Sequence, residues 1–395
     1  MKHAKRAHAL LSASKAEQWI NCPPSARLQE GIPDQRSEYA EEGTLAHELA
    51  EIKLRRRLLP CGPTKKKYLD DCLKHIKAIK YYSAEMEEAI QRYVEFVEER
   101  FAEAKDRSQD GLILLEEQLD FSEWVPDGYG TGDVVIISDG VLEVIDLKYG
   151  KGVPVSAEGN PQIRLYGLGA WNAYSYLYDI REIRMAIVQP RLDSISTDSL
   201  AIEDLLEWAD KVVKPAAALA DAGEGDFKPG DHCRWCKVKA TCRARADANM
   251  EVLKYEFQDP ALLSNEEIGS ILFIAGQLKA WVKDVEEYAQ GQALKGEKIP
   301  QWRLVEGKSN RTITDPDALI ARLIETGYEK EQITETKLLG ISKLEKVVTK
   351  KKLEKIAGDL IIKPPGKPVL VPETDPRPEL NSIENDFANI DFKEE

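Results

Sequence analysis

The apolar positions of this chain change their spacing as it runs, and the changes mark its elements. In ALLSASKAEQWINCPPSARL a short helix is expected around Ser14 to Ile20, stopped by Pro23-Pro24. From Ser37 to Leu59 apolar residues recur at helical spacing, with a local break at Gly43-Thr44 ahead of LAHELAE. A further helix, Ala84 to Ala104, carries Met86, Ile90, Tyr93, Val94, Val97 and Phe101 on one face. The period then shortens. Leu112 to Phe121 reads as a strand, and the runs Val134 to Ile137 and Val141 to Ile145 flank a Ser138-Asp139-Gly140 turn as a β-hairpin. Helical spacing returns at Asn160, a strand ends at Pro190, and another helix is expected over Ile202 to Ala220. The order helix, three strands, helix, strand gives an α/β fold.

Beyond this region comes a cysteine-rich stretch, DFKPGDHCRWCKVKATCRARA, and then a long amphipathic helix in SNEEIGSILFIAGQLKAWVKDVEEYAQGQAL. QWRLVEGKSNRTI is expected to form a hairpin, DPDALIARLIETG a capped helix, and ISKLEKVVTKKKLEKIAGDL one or two short helices. Proline-rich IKPPGKPVLVPETDPRPEL leads to the acidic NSIENDFANIDFKEE, read as a disordered linker and tail. The expected domains are therefore 1–250, a mainly helical module over 251–365, and a linker and tail over 366–395.

Polar residues interrupt the hairpin at its open end. Asp133 begins the first strand, and Asp146 and Lys148 finish the second. Two acids and a lysine at one edge of a buried sheet are costly unless something pairs them, and a metal ion is the usual partner. The bulk composition sets wider bounds. With 395 residues and 43% apolar content the chain can hold one large or two to three smaller domains. The N-terminal apolar stretch is too short for a signal peptide and no run approaches membrane-spanning length, so a cytoplasmic location is expected. A formal charge of −14 gives no bulk attraction to a polyanion, which must be met by local basic surfaces. KLRRRLLP, PTKKKYL and SKLEKVVTKKKLEK are available, although any one such run is more often a solvated helix face.

Asp133, twelve residues, then Asp146-x-Lys148, set in this element order, resembles the PD-(D/E)xK nuclease superfamily. GTLAHELAE resembles the G-T-x-x-H-x-x-x-E helix of its RecB-type branch, which maps the metal-binding histidine onto His47; without that context, a helix histidine satisfied by Glu48 or Glu51 is the simpler reading. PQIRLY resembles the branch's Q-x-x-x-Y motif and maps onto Gln162 and Tyr166, which share one helix face. One departure stands out: the acid before the lysine is aspartate rather than the commoner glutamate, which RecB-type members tolerate.

The resemblance covers about Leu11 to Ala246. It implies a mixed central sheet flanked by helices and a metal-dependent DNA nuclease, an exonuclease by preference. His47, Asp133, Asp146 and the Leu147 carbonyl would bind Mg²⁺ or Mn²⁺. Lys148 would orient water or stabilise charge, and Gln162 and Tyr166 would position the substrate strand.

The remaining motif is Cys233, Cys236 and Cys242 in C-x2-C-x5-C, with Cys22 far upstream in WINCPPSARL. Four thiolates suit zinc or an iron-sulfur cluster equally well. One cysteine before the core and three after it resembles the iron-sulfur nucleases, the AddB nuclease domain and the CRISPR-adaptation nucleases, which implies a [4Fe-4S] cluster stapling the two ends of the domain. Cys61 and Cys72 are expected to be free thiols.

The C-terminal part resembles a family of phage and prophage proteins of unassigned function, which implies a replication or recombination setting. There Arg311, Lys350, Lys351 and Lys352 are expected to contact DNA. The spaced apolar residues of the tail, Ile383, Phe387, Ile390 and Phe392, would suit a single-strand-binding or annealing protein; an inert solubilising end, or a tail that mimics DNA in the nuclease's own basic channel, are the alternatives. The alternative to an enzyme is a non-catalytic DNA- or protein-binding module with a structural metal cluster.

Overall fold

A computed structural model of the chain describes residues 9–33, 38–60, 62–251 and 263–303, with a few isolated positions after them. The chain divides into two compact units, residues 1–291 and 292–395. In the first, short helices α1 (Ala16–Asn21) and α2 (Ser25–Leu28) precede the longer α3 (Glu38–Leu58), α4 (Pro63–Lys77) and α5 (Ala84–Arg107). Five strands follow: β1 (Leu112–Asp120), β2 (Tyr129–Ser138), β3 (Val141–Leu147), β4 (Glu182–Gln189) and β5 (Ser194–Ala201). Helix α6 (Pro161–Tyr174) connects β3 to β4.

The strands form one mixed sheet in the order β1-β2-β3-β4-β5. All neighbours are antiparallel except β3 and β4, which are parallel and joined through α6. Such a crossover puts a helix on one face of the sheet, and here helices cover both. On one face α3 and α5 pack Leu49, Ile90, Val94 and Val97 against Val134, Ile136 and Ile145. On the other, α6 packs Ile163, Leu165 and Leu168 with Val135, Ile137, Leu142 and Val144. Buried on both sides, β3 reads as a continuous apolar run broken only by Glu143 and Asp146. Glu143 is held by Arg100 of α5 at 2.8 Å.

The expected helix over Ile202 to Ala220 is α7 (Ile202–Trp208) running through a π-turn at Ala209–Val213 into α8 (Lys214–Ala222). The wider turn lies just before Pro215, which has no N–H to continue an α-helical ladder. The chain then reaches the cysteine segment, α9 (Arg243–Met250) and α10 (Asn265–Leu294). Asp284 of α10 takes both Lys239 and Arg245, at 2.7 and 2.6 Å.

Three elements differ from the sequence expectation. Helix α3 runs unbroken through Gly43-Thr44, where a local break is expected. PTKKKYL is the start of helix α4, with Pro63 in its first turn, rather than only a basic run. SISTDSLA forms strand β5, whose exposed side leaves it without an apolar run to announce it. No helix among the described residues is long and apolar enough to cross a membrane. Cys61, Arg311, Lys350, Lys351, Lys352, the expected C-terminal short helices and the tail lie outside the described residues.

Candidate metal centre and cysteine site

Strand register builds the first site. Val134 of β2 pairs with Ile145 of β3, so the next step across the hairpin sets Asp133 opposite Asp146. On the other side of β2, the pairs Leu115–Val134 and Glu117–Gly132 leave Glu116 opposite Asp133. Three acids on three adjacent strands therefore stand in one row. Glu116 has φ 53°, in the left-handed region that residues other than glycine seldom enter. This turn breaks the in-out alternation of β1: Ile113 and Leu115 pack on the α3–α5 side, whereas Leu119 packs on the α6 side. Backbone strain of this kind gathers at functional sites.

Helix α3 brings His47 to the row. Its Leu45, Ala46, Leu49 and Ala50 are buried, which leaves His47 half-exposed at the sheet edge. His47 Nδ1 lies 3.2 Å from Asp133 Oδ1, and the Leu147 N–H donates to Asp133 Oδ2 at 2.7 Å. One ligand atom each from His47, Glu116 and Asp133 fall within 4.8 Å of one another. That trio can hold one cation, with Asp146 beside it across the hairpin.

Helix α6 supplies the other wall. Asn160 caps it by accepting from the Gln162 N–H at 3.0 Å, and Pro161 opens the first turn. This start presents Gln162 to the β3 end. Lys148 Nζ stands 2.9 Å from Asp146 Oδ2 and donates to Gln162 Oε1 at 3.0 Å. The contact with Asp146 is a charge pair without hydrogen-bond alignment, so Oδ2 keeps unused acceptor capacity. Gln162 Nε2 reaches Asp146 Oδ1 at 3.4 Å and the Tyr166 hydroxyl at 3.3 Å. Tyr166 is buried, with Gly130 against its ring; a Cβ at that glycine would come within 2.8 Å of the ring.

Crowding of acids in a dry place sets their proton affinities. Burial, then the Asp133 charge, pushes the Glu116 carboxyl up to about 7. Burial also raises Asp146, against the opposing pull of Lys148. Burial lowers the affinity of His47 and Lys148 for protons, but Asp133 for the one and Asp146 for the other reverse the sign and hold both above their ordinary values. Tyr93 of α5 is fully buried under the same charges, its hydroxyl without a partner and its proton held tightly by burial.

His47, Asp133, Asp146, Lys148, Gln162 and Tyr166 thus come together, and Leu147 lies at the same strand end. Glu116 is the member that sequence reasoning missed. Its only signal is a pair of acids, Glu116-Glu117, interrupting the apolar run of β1.

The second site joins distant parts of the chain. Cys22 ends α1, Cys233 and Cys236 flank the end of a 3-10 turn over Asp231–Trp235, and Cys242 caps α9. All four line one cleft. Arg27 of α2 clamps Asp221 of α8 through its carbonyl and its carboxylate, each at 2.6 Å, and Gln29 accepts from the Lys237 N–H at 2.8 Å, so both ends are tied. His232 Nε2 donates to the Lys228 carbonyl at 2.9 Å. Bonds to Cys22 and then to Cys233 raise its imidazole to about 10. Among the described residues the His47 trio is the group that gathers three ligand atoms within 4.8 Å. Cys72 lies elsewhere, on α4.

Two solved structures resemble parts of the chain. One is a candidate exonuclease of Eubacterium rectale, 11% identical, with a TM-score of 0.33 over 57% of this chain and 85% of that one. The other, SSO0001, is 11% identical, with a TM-score of 0.22 over 58% of this chain and 96% of that one. A family model described as "Protein of unknown function (DUF2800)" matches residues 8–378. With that match running over most of its length, the chain belongs to the DUF2800 family.

Proposed function

We propose that this protein is a divalent-metal-dependent deoxyribonuclease that degrades DNA from its ends, in the setting of recombination or replication. The observation that carries the reading is the row Glu116–Asp133–Asp146 with His47 against Asp133 and Lys148 against Asp146. A structural sheet edge has no use for three aligned acids; a cation offsets their repulsion and the cost of burying them. Carboxylates suit Mg²⁺ and Mn²⁺, and an added imidazole fits the second at least as well. The donor set therefore fits the metal that the resemblance implies.

His47, Glu116, Asp133 and Asp146 would hold the ion or ions. Bound there, the metal supplies a Lewis acid for a phosphoryl oxygen and lowers the pKa of water. The chain's own groups do the remainder. Asp133 is fixed by two partners, His47 and the Leu147 N–H, so it has one orientation for binding. Lys148, steadied by Asp146 and Gln162, keeps its proton and offers positive charge where negative charge develops on a phosphate under attack. Gln162 couples that lysine to Tyr166, so α6 holds the charged pair in position.

For the cysteines we read a [4Fe-4S] cluster as the occupant. The support for this reading is that all four cysteines, one from before the sheet and three from after it, line one cleft, in the arrangement that the resemblance implies.

The test is incubation of anaerobically purified protein with end-labelled linear and with circular DNA, with and without Mg²⁺ or Mn²⁺. The reading predicts loss of linear DNA only with metal, and survival of the circle. Intact linear DNA under all conditions would contradict it.

A further inference from the structure

The cysteine cleft is lined by two polar side chains with no assigned role. Gln18 on α1 is 5% exposed and Ser25 on α2 is 3% exposed. Gln18 Nε2 and Ser25 Oγ are both shut from solvent and have no hydrogen-bond partner. Their backbones are fully engaged in the local turn: the Gln18 carbonyl accepts from the Cys22 N–H at 2.8 Å, and the Ser25 N–H donates to the Cys22 carbonyl at 3.0 Å. The Ser25 carbonyl accepts from Gln29 Nε2 at 2.8 Å. These bonds fix both residues about Cys22, so neither is a surface side chain that happened to fold inward.

A buried donor that has lost water needs an acceptor. Both residues also border a neighbouring cavity of about 260 Å³, but each donor atom exposes less than 1 Å². They do not open into water there. Among the side chains that line the cleft with them are four sulfur acceptors, those of Cys22, Cys233, Cys236 and Cys242. As thiols these are weak acceptors; as metal-bound thiolates, or joined by inorganic sulfide, they carry negative charge and accept well.

We propose that Gln18 and Ser25 are hydrogen-bond donors to the sulfur-rich anionic group held by the four cysteines, and that they set its reduction potential. This rests on the cluster reading above and extends it from the ligands to the groups that tune them. Hydrogen bonds to sulfur favour the more negative, reduced form and so raise the potential. Gln18 and Ser25 act on the group from the Cys22 side, opposite the segment that supplies the other three ligands. They are tuning residues and hold no metal themselves.

The experiment uses the full chain, purified anaerobically as wild type, Gln18→Met, Ser25→Ala and Ser25→Thr. Iron and sulfide are counted, and the midpoint potential is found by dye-mediated titration followed by electron paramagnetic resonance. Gln18→Met and Ser25→Ala are expected to keep iron and to lower the reduction equilibrium constant by about tenfold, 59 mV for one electron. Ser25→Thr, which keeps its donor, should stay at the wild-type potential. The two donor-less variants are read separately, so a folding failure in one leaves the other. Iron retained with an unchanged potential in either well-folded donor-less variant overturns the proposal. A wild type without iron overturns the cluster reading itself. DNA cleavage is assayed apart from both and bears on neither result.

Discussion

The two candidate sites are built in opposite ways. The acid row is assembled by secondary structure: three strands in register and two helices bring His47, Glu116, Asp133, Asp146 and Lys148 to one edge, and their packing does not depend on what binds there. The cysteine cleft is assembled by short turns from the two ends of the folded region, Cys22 and the segment 233–242. Its backbone ties are Arg27–Asp221 and Gln29–Lys237. A ligand at the first site should govern chemistry, and a ligand at the second should govern stability.

The largest expected effect falls on the second site. Closing the chain between Cys22 and Cys233 removes loop entropy from the unfolded state, by cross-link arithmetic on the order of 5 kcal/mol. Cys236→Ala should therefore bleach the visible absorbance and lower the thermal midpoint of the whole domain by many degrees. An unchanged melting curve would remove the contrast between the sites.

The next effect is chemical. Asp146→Ala and Lys148→Ala should each slow cleavage by about 10²-fold or more, near 2.7 kcal/mol in activation free energy, while DNA binding by fluorescence anisotropy is retained. On the proposed reading Asp146→Ala would remove a metal-binding carboxylate, whereas Lys148→Ala would leave the metal and remove charge. Full turnover in either variant would take the row out of the mechanism.

Glu116 sharpens the comparison, because it sets site against stability within one residue. Its carboxyl titrates near 7 in the metal-free fold against an ordinary value of 4.5. A raised carboxyl value means that the fold disfavours the charged form. Its contribution to stability is complete below the unfolded value and is lost as pH rises toward 7. Glu116→Gln should remove that decline and stabilise the metal-free protein at pH 8 by about 1 kcal/mol, the full linkage value of about 3 kcal/mol being reduced by solvent screening of a partly exposed carboxyl, while weakening metal binding. A melting temperature that falls equally with pH in both proteins would contradict this.

The smallest effect concerns residues outside the described region. Neutralising Lys350, Lys351 and Lys352 should flatten the salt dependence of DNA binding by about two to three units of slope if all three meet phosphates. An unaltered slope would return that run to a solvated helix face.

Much of the architecture was legible in the pattern of apolar residues. The hairpin, α5 and α6 follow it closely, since their buried faces repeat with the period of the element. Asp133, Asp146 and Lys148 could be read because they interrupt such a face. Glu116 could not, because its position at the site depends on a left-handed turn within a strand, and nothing in LLEEQ marks which acid makes it. Strand β5 was hidden for the converse reason: most of its residues are polar and alternate between exposed and half-buried, so it pairs with β4 without a hydrophobic signature. The sharing of a single cleft by Cys22 and the later cysteines is a long-range fact that spacing cannot carry.

The central claim is that the row of acids and His47 form a metal centre. It is tested most directly by titrating Mn²⁺ into the full metal-free chain and following free Mn²⁺ by electron paramagnetic resonance, for wild type and Asp133→Asn. Asp133 is the residue common to both halves of the row, paired with His47 and opposite Glu116 and Asp146. The account predicts saturable binding by the wild type that weakens at least tenfold in Asp133→Asn. Equal binding by the two proteins, or none by the wild type, would contradict it.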